Sequence, residues 1–323
     1  MNFTRIVASL AAALLSVAFT GAAQAQDYPN KPVRMIVPYP AGGPLDTLAR
    51  IFADKMSQGL GHTMLVESKP GASGNIGGDL VARAAPDGYT LLWAIDTAMT
   101  VNPSLFKSMT FDPLKDLAPV SLVSSSDSVL VVNPSVPVNS LKDLIELSKK
   151  QSLNFASGGN GTPAHVATAL FMREAGVTMT HIPYKGNAPS VASLLGGETH
   201  FSIASVPGVM RHIKAGKLKA IAVTGSKRTP FLADLPTFAE SGFPGVVVDG
   251  WRALYAPAGT PRAVIDALNR ELGRVAKLPD VVEKLAAIGT IAVVSTPERL
   301  TEVMREETAK WAKVVKEAGI KVQ

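Results

Sequence analysis

Val33-Arg34-Met35-Ile36-Val37-Pro38-Tyr39-Pro40-Ala41-Gly42-Gly43-Pro44-Leu45-Asp46-Thr47-Leu48-Ala49-Arg50 carries the fold in miniature. The first five residues are an apolar run closed by Pro38, the signature of a buried strand. A Pro/Gly turn follows. Then Leu45, Leu48, Ala49, Phe52 and Met56 recur at helical spacing on one face. Outward from there, 64–66 is strand-like, 76–85 is helical with Pro86-Asp87-Gly88 as its stop, and 89–95 is again a strand. This βαβαβ order predicts an α/β protein with a parallel sheet covered on both faces by helices.

The middle of the chain repeats the alternation. Strand signals at 129–132, 153–155, 179–183, 201–203 and 218–223 are separated by helical ones at 140–149, 164–175, 188–195 and 206–214. Ser140 is placed to cap the first of these helices. Past a Pro/Gly bend (Phe243-Pro244-Gly245), a strand at 251–255 precedes helices near 261–276 and 297–318. Ser124-Ser125-Ser126-Asp127-Ser128 and Lys227-Arg228-Thr229-Pro230 are the candidate hinges.

The chain has 323 residues, enough for about two domains of ordinary size. It contains no cysteine, which excludes disulfide scaffolds, zinc ribbons and thiol catalysis. Arg5, the charge-free apolar run 6–19 and Ala23-Gln24-Ala25 form a secretory signal pattern. The run is shorter than the roughly 20 residues a spanning helix needs. Cleavage is expected after Ala25, giving a soluble periplasmic protein. The net charge is +6, but adjacent basic pairs occur only at Lys149-Lys150 and Lys227-Arg228. Dispersed charge of this kind argues against nucleic-acid binding.

Two loops concentrate the chemistry. Tyr39-Pro40-Ala41-Gly42-Gly43-Pro44 and Ala156-Ser157-Gly158-Gly159-Asn160-Gly161-Thr162-Pro163 each lead from the carboxyl end of a strand into a helix. Each sets a proline near the first helical position, where its missing N–H costs nothing. Glycines let a ligand approach the backbone, and free N–H groups at the positive end of a helix attract anions. Two such loops suit a ligand with two anionic ends, or one anion gripped from both sides; turn-making glycines are the plainer alternative. A third loop, Pro70 to Gly78, offers the Ser73 hydroxyl. Asp46 is read as complementing its helix dipole. His165, in the first turn of the second loop's helix, either donates to a carboxylate or packs and caps. Arg252, in the bulky run Trp251-Arg252-Ala253-Leu254-Tyr255, needs a partner: a bidentate ligand carboxylate, an acid such as Asp249, or solvent.

Other chemistries fit poorly. Gly159-x-Gly161-x-x-Ala164 matches the dinucleotide pattern, but no acid follows at the ribose position. There is no phosphate-loop motif, no H-E-x-x-H and no G-x-S-x-G elbow, and the five histidines form no i,i+4 pair. A serine hydrolase is therefore a remote alternative, and no cofactor or metal is expected.

Seven ordered motifs carry a family resemblance: Tyr28-Pro29-x-Lys31-Pro32, Pro40-Ala41-Gly42-Gly43-x-x-Asp46, Lys69-Pro70-Gly71-Ala72-x-Gly74-Asn75-Ile76-Gly77, Ala85-Pro86-Asp87-Gly88-Tyr89-Thr90, Gly158-x-x-Gly161-x-x-x-His165, Pro183-Tyr184-Lys185-Gly186 and Ala256-Pro257-Ala258-Gly259-Thr260-Pro261. Together they resemble the Bug-type substrate-binding proteins of tripartite tricarboxylate transporters. The resemblance implies a periplasmic binding protein-like α/β fold of two lobes, with doubly wound sheets and a double crossover hinge. Lobe I is expected over 26–125 plus 229–323, and lobe II over 126–228. It implies a monomer without catalysis that hands a small carboxylate to integral-membrane permease subunits; a sensor presenting ligand to a signalling protein is the alternative. Backbone N–H groups of the loops at Ala41-Gly42-Gly43 and 157–162 are implied to hold ligand carboxylates. The candidate ligand set is Ala41, Gly42, Gly43, Asp96, Thr97, Ser157, Gly158, Gly159, Gly161, Thr162, His165, Ser205 and Arg252. Two departures stand out. Ala204-Ser205 replaces a frequent Asp or Asn, and Trp251-Arg252-Ala253 replaces Trp-Tyr-Gly or Trp-Phe-Gly. Losing an acid and gaining a cation favours a di- or tricarboxylate, aliphatic or aromatic, over an amino acid.

Overall fold

The computed structural model describes residues 28–318 and 320, so the expected cleavage point after Ala25 lies outside the described residues. β1 (Val33–Val37) forms as expected and pairs in parallel with β2 (Met64–Ser68) and β3 (Thr90–Ile95). Between β1 and β2 runs α1 (Pro44–Leu60), which buries the predicted stripe Leu45, Leu48, Ala49, Phe52 and Met56 against the sheet. The leucine, phenylalanine and methionine side chains of this stripe each contribute about 1.5–3 kcal/mol on full burial. α2 (Asn75–Ala82) lies between β2 and β3. Beyond β3 come two short helices absent from the sequence reading, α3 (Asp96–Thr100) and α4 (Asn102–Leu105).

The sheet then departs from the parallel expectation. β4 (Leu117–Val132) is one 16-residue strand, and β9 (Asp249–Pro257) runs antiparallel to both β4 and β3. The reason is topological. β4 carries the chain out of the first lobe and β9 brings it back, so the two strands run in opposite senses side by side. β4 pairs with β9 as far as Asp127↔Asp249, and from Ser128↔Ser205 onward with β7 (Phe201–Ser205). The serine-rich run 124–128 is thus extended strand at the handover. Its turn-like composition hides the strand there, so the sequence signal covers only the last quarter of β4, 129–132.

The second lobe holds β7, β5 (Asn154–Ser157) and β6 (Thr180–Pro183), with β8 (Lys219–Val223) also on β4. Its helices are α5 (Leu141–Lys150), α6 (Pro163–Ala175), α7 (Asn187–Leu195) and α8 (Val206–Lys214). As expected, Ser140 Oγ caps α5, accepting from Asp143 N at 3.1 Å. Phe238, Val246 and Val248, expected with the first lobe, pack into the core around Phe155 and Phe171. Val248 N donates to Thr224 O at 3.1 Å, so this stretch stays with the second lobe until β9 begins.

The chain ends with α9 (Arg262–Val275), an unforeseen α10 (Pro279–Ala287), the two-residue β10 (Ile291–Ala292) and α11 (Pro297–Ala318). α11 spans both lobes: Leu300 and Met304 sit in a first-lobe core, Trp311 and Val315 in a second-lobe core. Among the described residues no helix is long and apolar enough to cross a membrane.

Candidate functional site

The carboxyl ends of β1, β3, β5 and β7 all point toward one cleft between the lobes, the usual ligand position of open α/β sheets. The cleft is partly open to solvent. Tyr39, Pro40, Gly43, Leu45, Ile95 and Arg252 line it from the first lobe; Gly158, Thr162, Gly186, Asn187 and Ser205 line it from the second. The lobes touch where Pro40 lies against Gly186. A Cβ on Gly186, whose φ is +106°, would come within 2.9 Å of the Pro40 ring, so glycine is needed both for the conformation and for the approach.

Helix amino ends converge here. α1, α6, α7 and α8 all start at this cleft, and none has a side-chain cap on its N-cap residue, whether Gly43, Thr162, Gly186 or Ser205. The first-turn N–H groups of a helix have no intrahelical partner, so those of Leu45, Ala164 and Ala188, which line the cleft, remain for a ligand. Sequence reasoning named the ends of α1 and α6 as anion sites; at α8 it named Ser205 but not the helix end, and it missed α7. The signal was available: Gly186 before α7, and Pro207 in the first turn of α8, repeat the glycine-or-proline junction of the other two.

Each predicted loop is wired from within. Asp46 accepts from Gly42 N at 2.9 Å and from Arg50 Nε at 2.9 Å. Burial pushes its carboxyl up, but these bonds hold it below the usual carboxylate range. In the second loop Ser157 Oγ donates to Gly159 O and accepts from Gly159 N, both at 3.1 Å, and lies 2.6 Å from His181 Nε2. Thr162 Oγ1 donates to Gly159 O at 2.7 Å. His165 Nδ1 accepts from Gly161 N at 3.0 Å. The His165 ring stacks on His181 at 4.4 Å, and His181 on Phe155 at 4.7 Å. Burial lowers both histidines to about 4, so both are neutral near pH 7.

Of the predicted residues, Gly43, Gly158, Thr162, Ser205 and Arg252 line the cleft. Ser157, Gly159, Gly161 and His165 build the loop behind it. Ala41 and Gly42 lie on the exposed outer side of the first loop. Asp96 and Thr97 are buried at the end of β3, and burial raises Asp96 to about 7. Ser73, in the left-handed region at φ 53°, donates through Oγ to Asn160 O of the other lobe. Its own carbonyl accepts from Tyr39 OH at 2.9 Å and Asn102 Nδ2 at 3.0 Å. Arg252 is buried; its Nη1 donates to Ser126 Oγ and its Nε has no partner. Asp249 is turned away, accepting from Ser226 N at 3.0 Å. Among the described residues no cluster of His, Cys, Asp or Glu is suited to a metal.

The comparisons agree with this geometry. Residues 48–320 match the model of the tripartite tricarboxylate transporter family receptor. Protein BugT of Bordetella pertussis is 38% identical, with all of both chains covered. The structure of the periplasmic binding protein BugD superposes with a TM-score of 0.87 at 37% identity, covering 92% of this chain and all of that one. A protein of R. palustris, solved with adipate, gives 0.87 at 33% identity, covering 91% and 99%. The family is one of solute-binding receptors, not of enzymes. The two-lobed fold, the interlobe cleft of uncapped helix ends and these matches together place the chain in the tripartite tricarboxylate transporter receptor family, as a Bug-type binding protein.

Proposed function

We propose that this protein, exported to the periplasm and cleaved after Ala25, captures a di- or tricarboxylate in the interlobe cleft as a monomer and delivers it to an integral-membrane permease. The observation that carries the reading is the convergence of four uncapped helix amino ends on one cleft. Backbone donors hold a carboxylate in its charged form without burying a side-chain ion pair, whose desolvation cost is high. The relative solved with adipate supports a carboxylate ligand. In the proposed site, the first-turn N–H groups beyond Gly43 and Thr162 take one carboxylate, and the loop 157–162 stays rigid behind it through Ser157 and His165. The lobes close on the ligand about hinges at the β4 handover near Asp127 and at the return into β9 near Asp249.

A thermal-shift screen over organic acids tests this, because a ligand that binds only the folded state raises its apparent stability. Di- or tricarboxylates at about 100 times their Kd should add roughly 2.7 kcal/mol and raise the Tm by several degrees. If no carboxylic acid shifts the Tm, the proposal fails.

A further inference from the structure

Among the described residues, Arg252 is a buried cation in no ion pair. Only 6% of its surface is exposed. Asp96 and Asp127 act on it only through space, and the acid nearest in sequence, Asp249, bonds elsewhere. A guanidinium taken from water without a paired anion is strongly unfavourable. One of its nitrogens is held by Ser126, which fixes the side chain, while Nε stays unpartnered.

A row of hydroxyls extends from this point. Ser124, Ser126 and Ser128 recur with the strand period of two along one face of β4. Arg252 lies opposite Ser124 in the ladder with β9, and Ser205 opposite Ser128 in the ladder with β7. The Ser124 and Ser205 hydroxyls are buried and also lack partners. Arg252 and Ser205 both line the cleft, from opposite lobes. Among the described residues that line this part of the cleft, Arg252 supplies a cation and Ser205 a hydroxyl, and none is an acid.

We infer that Arg252 and Ser205 form a second anion subsite at the base of the cleft, which takes the far carboxylate of a dianionic organic acid while the helix amino ends hold the near one. This rests on the solute-binding reading and adds to it a residue that sets specificity. The planar fork of Arg252 suits a carboxylate. The same subsite selects against α-amino acids, whose ammonium group would meet a cation and neutral hydroxyls.

Calorimetry with matched acids tests it: glutarate against valerate, adipate against hexanoate, and glutamate against glutarate. The wild type should bind each dicarboxylate at least about 30-fold tighter than its monocarboxylate, the range of a charge-assisted hydrogen bond. Arg252→Met should bring the two acids within about 3-fold by weakening the dicarboxylate alone, and Arg252→Lys should fall between. Because Met keeps an apolar stem and removes an uncompensated charge, the unliganded variant should melt at or above the wild-type temperature. Equal losses for both acids, unchanged discrimination, or glutamate binding tighter than glutarate would each overturn the subsite. Wild-type protein that binds none of these acids sinks the carboxylate reading itself, which separates the two failures.

Discussion

Asp96 is the most heavily perturbed carboxyl at the site, buried beneath the cleft and raised to about 7 chiefly by desolvation. The folded value lies above the unfolded one. As pH rises from about 4 to about 7, the unfolded chain therefore ionises first and stability falls, then levels off. Asp96→Asn cannot ionise. It should stabilise the protein at pH 8 by roughly 4 kcal/mol at most, and the gain should shrink toward zero near pH 4. His165 and His181 act in the opposite sense: lowered to about 4, their contribution is complete above about pH 6.5 and is lost as pH falls toward 4. Both are present in variant and wild type, so the difference in Tm measured at each pH isolates Asp96; a difference that does not vary with pH refutes the assignment. Sequence could mark Asp96 only as the residue after a strand. Its burial depends on α3, whose all-buried turn Asp96–Thr100 has no amphipathic period to read. His165 was legible as a first-turn residue, but its choice of Gly161 N was not, because that bond follows from the turn geometry of the loop.

The strand–glycine–helix junctions were the legible elements, since a buried run, a Gly/Pro turn and a 3.6-residue stripe are all local signals. β4 was not, because serine and aspartate read as loop until a partner strand takes up their backbone groups. The contrast between two helix starts gives a test at this scale. Ser140 closes the end of α5 with its own hydroxyl, whereas Gly43 leaves the end of α1 open. Gly43 has extended backbone at φ −77°, so another residue fits, with only Pro40 O at 3.3 Å having to give slightly. Gly43→Asn should bring its own cap, change stability by no more than a few tenths of a kcal/mol, and occupy the N–H groups proposed for the ligand. Adipate affinity measured by calorimetry should then drop at least about 10-fold, the cost of losing a bond to a charged group. Undiminished affinity would remove the amino end of α1 from the site.

At the scale of the whole molecule, the chain order predicted two lobes, but nothing in it shows how they meet, because those contacts join residues far apart in sequence. Ser73 and Asn160 are such a pair, drawn from the third and second glycine loops. The Ser73 carbonyl is held by Tyr39 and Asn102 with its backbone in the left-handed region, and its hydroxyl reaches Asn160 O of the other lobe. A contact present only when the lobes touch shifts the closing equilibrium by its own free energy, whether or not ligand is bound. Ser73→Ala removes that contact without disturbing the Tyr39 and Asn102 bonds, which use the Ser73 carbonyl. A neutral hydrogen bond of about 1 kcal/mol corresponds to roughly a fivefold shift toward the open form. Small-angle scattering of the unliganded variant should give a larger radius of gyration than the wild type, and saturating adipate should bring the two together. Affinity should fall by the same factor as the closed population, since ligand binding must then close more open molecules. Identical radii without ligand, or a loss of affinity with no change in radius, would show that Ser73 does not latch the lobes.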